Sequence, residues 1–296
     1  MDIVDAHHHL WNTRLIDIPW LMGSQASFGD PAALRVPYRP ADYKRDLGAV
    51  KVLGTVHLCT EAVPAHAVHE TMWLTGVHDG SGLPTALVGW ADPEAADFET
   101  LLDTHARSPL LRGIRYRLNY DEPSGRRIAR SADMMERDTF RRGLRLLGPR
   151  NLAFELSVFA PQLEQAAELA AAVPEVTFVL NQLGWPIASD RPAFEHWRRG
   201  MAIIAKRDNV VAKIPGFWSI DREWHKDKIG PWVKEGYALF GPERCLYGTA
   251  LPIEKLFCAV PRQIELLTDI LAGESGSAIE QVFKSTAARV YRLNLN

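Results

Sequence analysis

Short apolar runs recur along the chain, each separated from the next by a longer amphipathic or polar stretch. The runs are four to nine residues long and rich in Val, Ile, Leu, Phe and Ala, which is typical of strands buried on both faces. They lie at 3–7, 50–58, 86–90, 111–117, 153–157, 176–180, 210–214 and 244–247. The pattern therefore predicts eight buried strands.

Helical periodicity follows each apolar run. Several helices carry a start signal, such as the proline at position 40 or the Asp92-Pro93 pair, which suits an N-cap and a first turn. The predicted helices lie at 40–47, 64–77, 92–106, 133–147, 161–173, 192–206, 230–240, 260–272 and 278–291. Strands that alternate with helices form a parallel sheet, and eight such units close into a barrel. We predict an α/β fold with one (β/α)8 (TIM) barrel domain over residues 1–296, whose active site lies at the carboxyl ends of the strands.

Residues 12–40 form the longest predicted connection and are rich in proline and glycine. Loops of this length are usually functional or disordered. Trp11, Trp20 and Phe28 would suit a lid over the barrel mouth, although ordinary packing of the loop on the barrel is the simpler interpretation. We expect this loop to lie over the mouth.

Composition excludes several classes of protein. The chain has 296 residues, 47% hydrophobic and 24% charged, with a net charge of -2. This balance argues against a nucleic-acid or anionic-membrane surface, and no run approaches the ~18 apolar residues of a membrane span. Three cysteines are too few for a disulfide framework. Without a secretory leader, the expected location is the cytoplasm, and a homodimer is the default assembly for such an enzyme.

The predicted first strand runs into three consecutive histidines. Side chains alternate along a strand, so His7 and His9 share one face and His8 takes the other. Two imidazoles at a strand end could form half of a metal site, because neutral imidazole is a common metal ligand. They could equally act as an acid and a base without a metal.

Other polar and aromatic side chains follow the remaining strands. Arg115 and Arg117 share one face of the fourth strand, and a guanidinium matches a carboxylate, so an anionic substrate is expected. The alternative for Arg115 is a structural ion pair, for instance with Glu155, and Lys213 could likewise bind an anion or pair with a barrel carboxylate. The predicted substrate-binding residues are Glu61, Arg115, Arg117, Asn181, Lys213 and Trp218.

Ordered motifs along nearly the whole chain resemble the amidohydrolase superfamily, in the branch that holds sugar lactonases and 2-pyrone-4,6-dicarboxylate lactonase. The motifs are Asp5-Ala6-His7-His8-His9-Leu10-Trp11, Gly89-Trp90-Ala91-Asp92-Pro93, Arg112-Gly113-Ile114-Arg115, Leu180-Asn181-Gln182-Leu183-Gly184-Trp185-Pro186, Ala212-Lys213-Ile214, Phe240-Gly241-Pro242-Glu243-Arg244 and Gly248-Thr249-Ala250-Leu251-Pro252. The resemblance implies hydrolysis of a small cyclic ester (a lactone) by water that a divalent metal and a strand-eight carboxylate activate. It also implies His where Gln182 stands, and Asp (sometimes Asn) where Ala250 stands.

These two departures leave the mechanism open. Alanine cannot accept a proton, and an amide is a weaker zinc ligand than imidazole, so we expect no tightly bound metal. The alternative is one divalent ion, such as Zn or Mn, held by His7 and His9. The predicted catalytic positions are His7, His9, Gln182 and Ala250, acting on a small, anionic molecule. Alternatives to lactone hydrolysis are a metal-independent or non-hydrolytic enzyme (a lyase, decarboxylase or cyclisation catalyst), an inactivated variant, or a small-molecule-binding protein.

Overall fold

A computed structural model describes residues 1–24, 26–186, 188–214 and 216–295. Within these ranges eight parallel strands form the central sheet, and each pairs with the next along the chain. The strands are β1 (Asp2–His8), β2 (Lys51–Leu58), β3 (Ala86–Trp90), β4 (Leu111–Arg117), β5 (Ala153–Ser157), β6 (Phe178–Leu180), β7 (Val210–Lys213) and β8 (Cys245–Leu246). A two-stranded hairpin, Tyr120–Asp121 with Arg126–Arg127, follows β4.

Backbone hydrogen bonds between β1 and the residues that follow β8 close the sheet. The Ala6 N–H donates to the Tyr247 carbonyl (3.0 Å), and the Ala250 N–H donates to the His7 carbonyl (2.7 Å). A parallel bridge between His8 and Leu251 continues the pairing. Closure removes both free sheet edges, and the predicted (β/α)8 barrel is confirmed.

Helices surround the barrel. They are α1 (Pro19–Met22), α2 (Pro40–Leu47), α3 (Ala67–Ser81), α4 (Phe98–His105), α5 (Asp138–Arg145), α6 (Leu163–Ala172), α7 (Arg191–Ile204), α8 (Lys226–Phe240), α9 (Val260–Ile270), α10 (Gly276–Glu280) and α11 (Thr286–Val290), with a π-helical turn at Gln281–Ser285 between the last two. Among the described residues, none of these helices has both the length and the apolar character required to cross a lipid bilayer.

Helix boundaries differ from the sequence prediction at several points. The helix expected from position 92 begins at Phe98, because the Asp92 side chain instead accepts the Glu94 N–H (3.0 Å) and forms a turn. The helix expected at 133–147 is a short 3-10 turn at Met134–Glu136 followed by α5. α8 begins four residues earlier than expected and accommodates Pro231 within its first turns.

The barrel interior is filled by alternate residues of neighbouring strands. Val4, Val88, Val179 and Val211 pack in one buried cluster, to which Tyr291 after α11 also belongs. This layered packing is typical of eight-stranded barrels, in which the interior is a packed core and not a pore. The polar side chains at the strand ends therefore lie above a closely packed apolar layer.

Candidate active site

A cavity of about 470 Å³ lies at the carboxyl ends of the strands. Nine of the ten predicted site residues line it; they are His7, His9, Glu61, Arg115, Arg117, Asn181, Gln182, Trp218 and Ala250. Segment 12–40 contributes Pro19, Trp20, Ala26, Ser27 and Phe28 to the lining. The cavity is thus bounded by strand ends below and by this connection at one side.

His7 and His9 are neutral imidazoles, and each has a ring nitrogen without a hydrogen-bond partner among the described residues. The rings lie 5.2 Å apart, centroid to centroid, and are nearly perpendicular. His9 Nδ1 lies 2.8 Å from the Leu58 carbonyl, so Nδ1 carries the proton and Nε2 is left as an acceptor. His7 Nδ1 is buried and has no hydrogen-bond partner among the described residues. Burial holds the pKa of both histidines well below the usual value, and the positive charge of Arg115 adds to this effect.

Asp5 fixes the backbone that presents His7. Its carboxylate is fully buried and accepts the Thr249 N–H (2.8 Å), the Thr249 hydroxyl (2.7 Å), the Tyr43 hydroxyl (2.7 Å) and the His7 N–H (3.1 Å). Burial raises the pKa of Asp5, and these hydrogen bonds oppose that rise. Asp5 therefore joins β1, at the backbone of His7, to the loop after β8.

The two arginines of β4 differ in their partners. Arg115 Nε lies 3.0 Å from Glu61 Oε1, and Arg115 Nη2 donates to the Cys59 carbonyl. The ion pair weighed for Arg115 thus forms with Glu61 and not with Glu155. Arg117 Nε donates to Asn119 Oδ1 (3.3 Å), whereas Arg117 Nη2 is buried without a partner in the described part of the chain. Burial lowers the pKa of Arg117 to about 10.

Lys213 does not line the cavity. Its ammonium is fully buried and lies 2.8 Å from Glu155 Oε2, and burial lowers the pKa of Lys213 to about 8 while Glu155 opposes this shift. Asn181 Nδ2 (2.6 Å) and the Tyr291 hydroxyl also donate to the Glu155 carboxylate. Of the two roles considered for Lys213, the structure has the ion pair with a barrel carboxylate. This cluster supports the cavity floor and orients Asn181.

Four lining residues, Glu61, Gln182, Trp185 and Ala250, have left-handed backbone with φ between 38° and 59°. Non-glycine residues pay about 1–3 kcal/mol for such a conformation, and strain of this kind concentrates at functional sites. Asp, Asn and His adopt it more readily than Ala or Gln. The backbone at positions 250 and 182 thus suits the Asp and His that the resemblance implies. At position 216, a Cβ would lie 2.7 Å from Gln182 Nε2, so Gly216 makes room for the amide.

An aromatic wall, composed of Trp20, Phe28, Trp218 and Trp185, lines another side of the cavity. Successive rings meet edge to face, with centroid distances of 6.0 Å, 6.1 Å and 5.7 Å. The Arg117 guanidinium lies over the Trp185 ring at 5.1 Å, a cation–π contact. The wall offers flat apolar surface beside a positive charge.

The donor set does not fit the catalytic metal site of the resembled branch. Catalytic zinc usually takes three protein ligands and a water. Within the described ranges, no group of three or more His, Cys, Asp or Glu side chains could hold a metal ion. The strand-eight position is Ala250, the strand-six position is the amide of Gln182, and the carboxylate in the described lining, Glu61, pairs with Arg115. Two cations, Lys213 and Arg115, contribute to the lowered pKa of His7, and they would also repel a divalent ion.

Sequence reasoning missed several lining residues. Ser157 ends β5 and shares the parity of Glu155, so the strand pattern could have identified it. Arg127 and Ile128 come from the hairpin after β4, which carries no periodic signal. Ile253 follows β8 in an irregular loop and had no signal either.

Comparisons with known proteins agree with this architecture. Residues 4–293 match the family model Amidohydro_2, described as amidohydrolase. The chain is 32% identical to protein y4mH of Sinorhizobium fredii (strain NBRC 101917 / NGR234), over 98% of each chain. It is 26% identical to an L-fucono-1,5-lactonase of Burkholderia ambifaria, over 98% of this chain and 96% of that protein.

Among solved structures, an amidohydrolase from Burkholderia multivorans with bound zinc superposes with a TM-score of 0.84. It is 22% identical and the match covers 99% of this chain and 100% of that chain. At this identity the likeness concerns the fold alone. Because the family model spans nearly every residue, from the first strand to the last helix, the chain belongs to the amidohydrolase family.

Proposed function

We propose that this protein hydrolyses a small lactone that carries an anionic group, and that it does so without a tightly bound metal. One observation carries the proposal. The same cavity presents two neutral imidazoles with free ring nitrogens and a half-buried arginine, Arg117, whose buried Nη2 has no partner among the described residues. The L-fucono-1,5-lactonase relative supports lactone hydrolysis as the reaction class.

His9 is the proposed general base. Its Nε2 accepts a proton from water while the water oxygen bonds to the lactone carbonyl carbon. The resulting oxyanion is stabilised by the Arg115 guanidinium and the Gln182 amide, which line the same cavity. The ring C–O bond then breaks, and the proton on His9 passes to the leaving alkoxide. The product is an open-chain hydroxy acid, and His9 returns to its neutral form.

Arg117 is the proposed anchor for the anionic group. Arg117 is half-buried, but its Nη2 is buried without a partner among the described residues; an unpaired buried N–H is costly, and a substrate carboxylate would satisfy it with charge-assisted hydrogen bonds. Arg115 suits this role less well, because Glu61 already neutralises it. The aromatic wall beside Arg117 favours a flat ring over an extended chain.

The alternative cofactor state is a single divalent ion held by His7 and His9. The zinc in the Burkholderia multivorans structure makes this worth testing, although this chain offers two imidazoles where a catalytic site needs three ligands. In the proposed reaction the proton moves between water, His9 and the leaving oxygen, and no step requires a metal.

A panel of lactones tests the proposal. Ring opening of 2-pyrone-6-carboxylate, of its uncharged parent 2-pyrone and of L-fucono-1,5-lactone is followed by proton release with a pH indicator, with and without a chelator. We expect the carboxylated ring to react faster than its parent and the chelator to have no effect. If no lactone is opened but a carboxylated ring releases CO2, the non-hydrolytic alternative replaces the proposal.

A further inference from the structure

Glu254 is a fully buried carboxyl group outside the cavity lining. It follows Ala250 by one turn, and its N–H donates to the Ala250 carbonyl (3.1 Å). The chain thereby turns inward after β8 and buries the Glu254 side chain behind the cavity. Since none of the proposed steps uses Glu254, its burial requires another explanation.

One carboxyl oxygen of Glu254 accepts two hydrogen bonds from a different loop. Oε1 accepts the Trp218 backbone N–H (3.2 Å) and the Trp224 indole N–H (2.7 Å). Both tryptophans lie in the segment that follows β7, and Trp224 is itself buried against Phe217 (5.2 Å between ring centroids). A single carboxyl group therefore ties the loop after β8 to the loop after β7.

Trp218 is the middle of the aromatic wall. Its ring contacts Phe28 on one side and Trp185 on the other, so a shift of Trp218 would open the wall at its centre. The hydrogen bond from the Trp218 N–H is the direct link between the wall and Glu254. Buried N–H groups that lose their acceptor destabilise the conformation that buries them.

We propose that Glu254 is a positioning residue that holds Trp218 in the cavity wall by joining the loops after β7 and β8. The inference rests on the proposed function only in treating the wall as a substrate contact. Glu254 does not itself line the cavity, and it acts through Trp218 and Trp224.

The surroundings of Glu254 supply a specific signature for this role. Glu254 Oε2 is buried with no partner among the described residues. Burial raises the pKa of Glu254 to about 8, while the hydrogen bonds from Trp224 and Trp218 oppose that rise. The titratable groups that sense Glu254 are Tyr247 and Cys258, and burial raises the pKa of both above the range in which Glu254 ionises. Ionisation of Glu254 near pH 8 would therefore change the environment of Trp218 and Trp224, while Tyr247 and Cys258 keep their protons.

Fluorine NMR of protein labelled with 5-fluorotryptophan tests the proposal without a substrate. The chain has nine tryptophans, and the substitutions Trp218→Phe and Trp224→Phe identify the two resonances of interest. In the wild type we expect both resonances to shift together with a midpoint near pH 8. The Glu254→Gln variant keeps an acceptor oxygen but cannot ionise, so the pH-dependent shift should vanish while the resonances remain sharp. Glu223→Ala, an exposed carboxylate in the same loop, is the matched control and should leave the shift unchanged.

A second readout uses benzoate as a probe of the cavity. Glu254→Ala should weaken benzoate binding by roughly five- to tenfold, as expected for loss of one buried hydrogen bond, and Glu254→Gln should restore most of it. If the tryptophan resonances do not titrate in the wild type, or still titrate in Glu254→Gln, the role assigned to Glu254 is wrong, even where Glu254→Ala fails to fold. Failure of every lactone in the panel would overturn the proposed function and leave these NMR results standing.

Discussion

The substitution Arg117→Gln separates ligand recognition from stability. Arg117 has a buried Nη2 without a partner in the described residues, and its pKa is lowered to about 10 because burial disfavours the charge. Removing this cation should therefore leave the free energy of unfolding unchanged or slightly higher. The binding of a small carboxylate should weaken by about 1.5–3 kcal/mol, the usual contribution of a charged hydrogen bond. At 25 °C this is roughly a 10- to 150-fold increase in Kd.

Isothermal titration with benzoate, alongside urea unfolding, measures both quantities. The matched control is Arg130→Gln, an exposed arginine that pairs with Asp92 and Glu94 outside the cavity lining and should not change the Kd. Arg115→Gln provides a contrast, because it strips Glu61 of its partner and should destabilise the fold by about 3 kcal/mol. Equal benzoate affinity in Arg117→Gln and the wild type would refute the assignment of Arg117 as the anion anchor.

Three further predictions concern protons and metals. In a profile of kcat/KM against pH, the acidic limb should lie below pH 6.5. Burial lowers the pKa of His7 and His9, so their active neutral form is lost only as the pH falls through those lowered values. An acidic limb at pH 6.5 or above would contradict this. Stability should decline as the pH rises from about 4.5 to about 8, since folded Glu254 keeps a proton that the unfolded chain releases, and urea unfolding of Glu254→Gln should show a flatter profile. The double substitution Ala250→Asp with Gln182→His should create stoichiometric zinc binding in dialysed protein, as measured by elemental analysis, because both residues suit the left-handed backbone there; metal content no higher than in the wild type would contradict it.

Periodicity was sufficient for the barrel and for much of the cavity lining. Parity along β1 predicts that His7 and His9 face the same side, and parity along β4 predicts the same for Arg115 and Arg117; all four line one cavity. Strand order and the position of strand ends follow from the same pattern. The position of strand ends also predicts Glu61 at the mouth.

The partners of charged groups could not be predicted in this way. Glu61 has left-handed backbone (φ 59°), so strand parity does not predict its direction, and the sequence does not indicate its pairing with Arg115. Lys213 has the strand parity expected of a residue that faces the barrel interior, but it lies below the cavity and pairs with Glu155. The hydrophobic pattern of a sequence does not indicate how deep in the barrel a side chain lies. Glu254 sits in an irregular loop, and only the folded chain brings it to Trp218.

Isotope incorporation tests the central claim most directly. Chelator-treated wild-type protein is incubated with 2-pyrone-6-carboxylate in water enriched in ¹⁸O, and the product is examined by mass spectrometry. The account predicts ring opening with one ¹⁸O in the new carboxylate, and a rate that falls roughly 100- to 10,000-fold in His9→Gln, the usual effect of losing a general base. Incorporation that appears only after zinc is added, or that is unchanged in His9→Gln, would contradict hydrolysis by this imidazole without a metal.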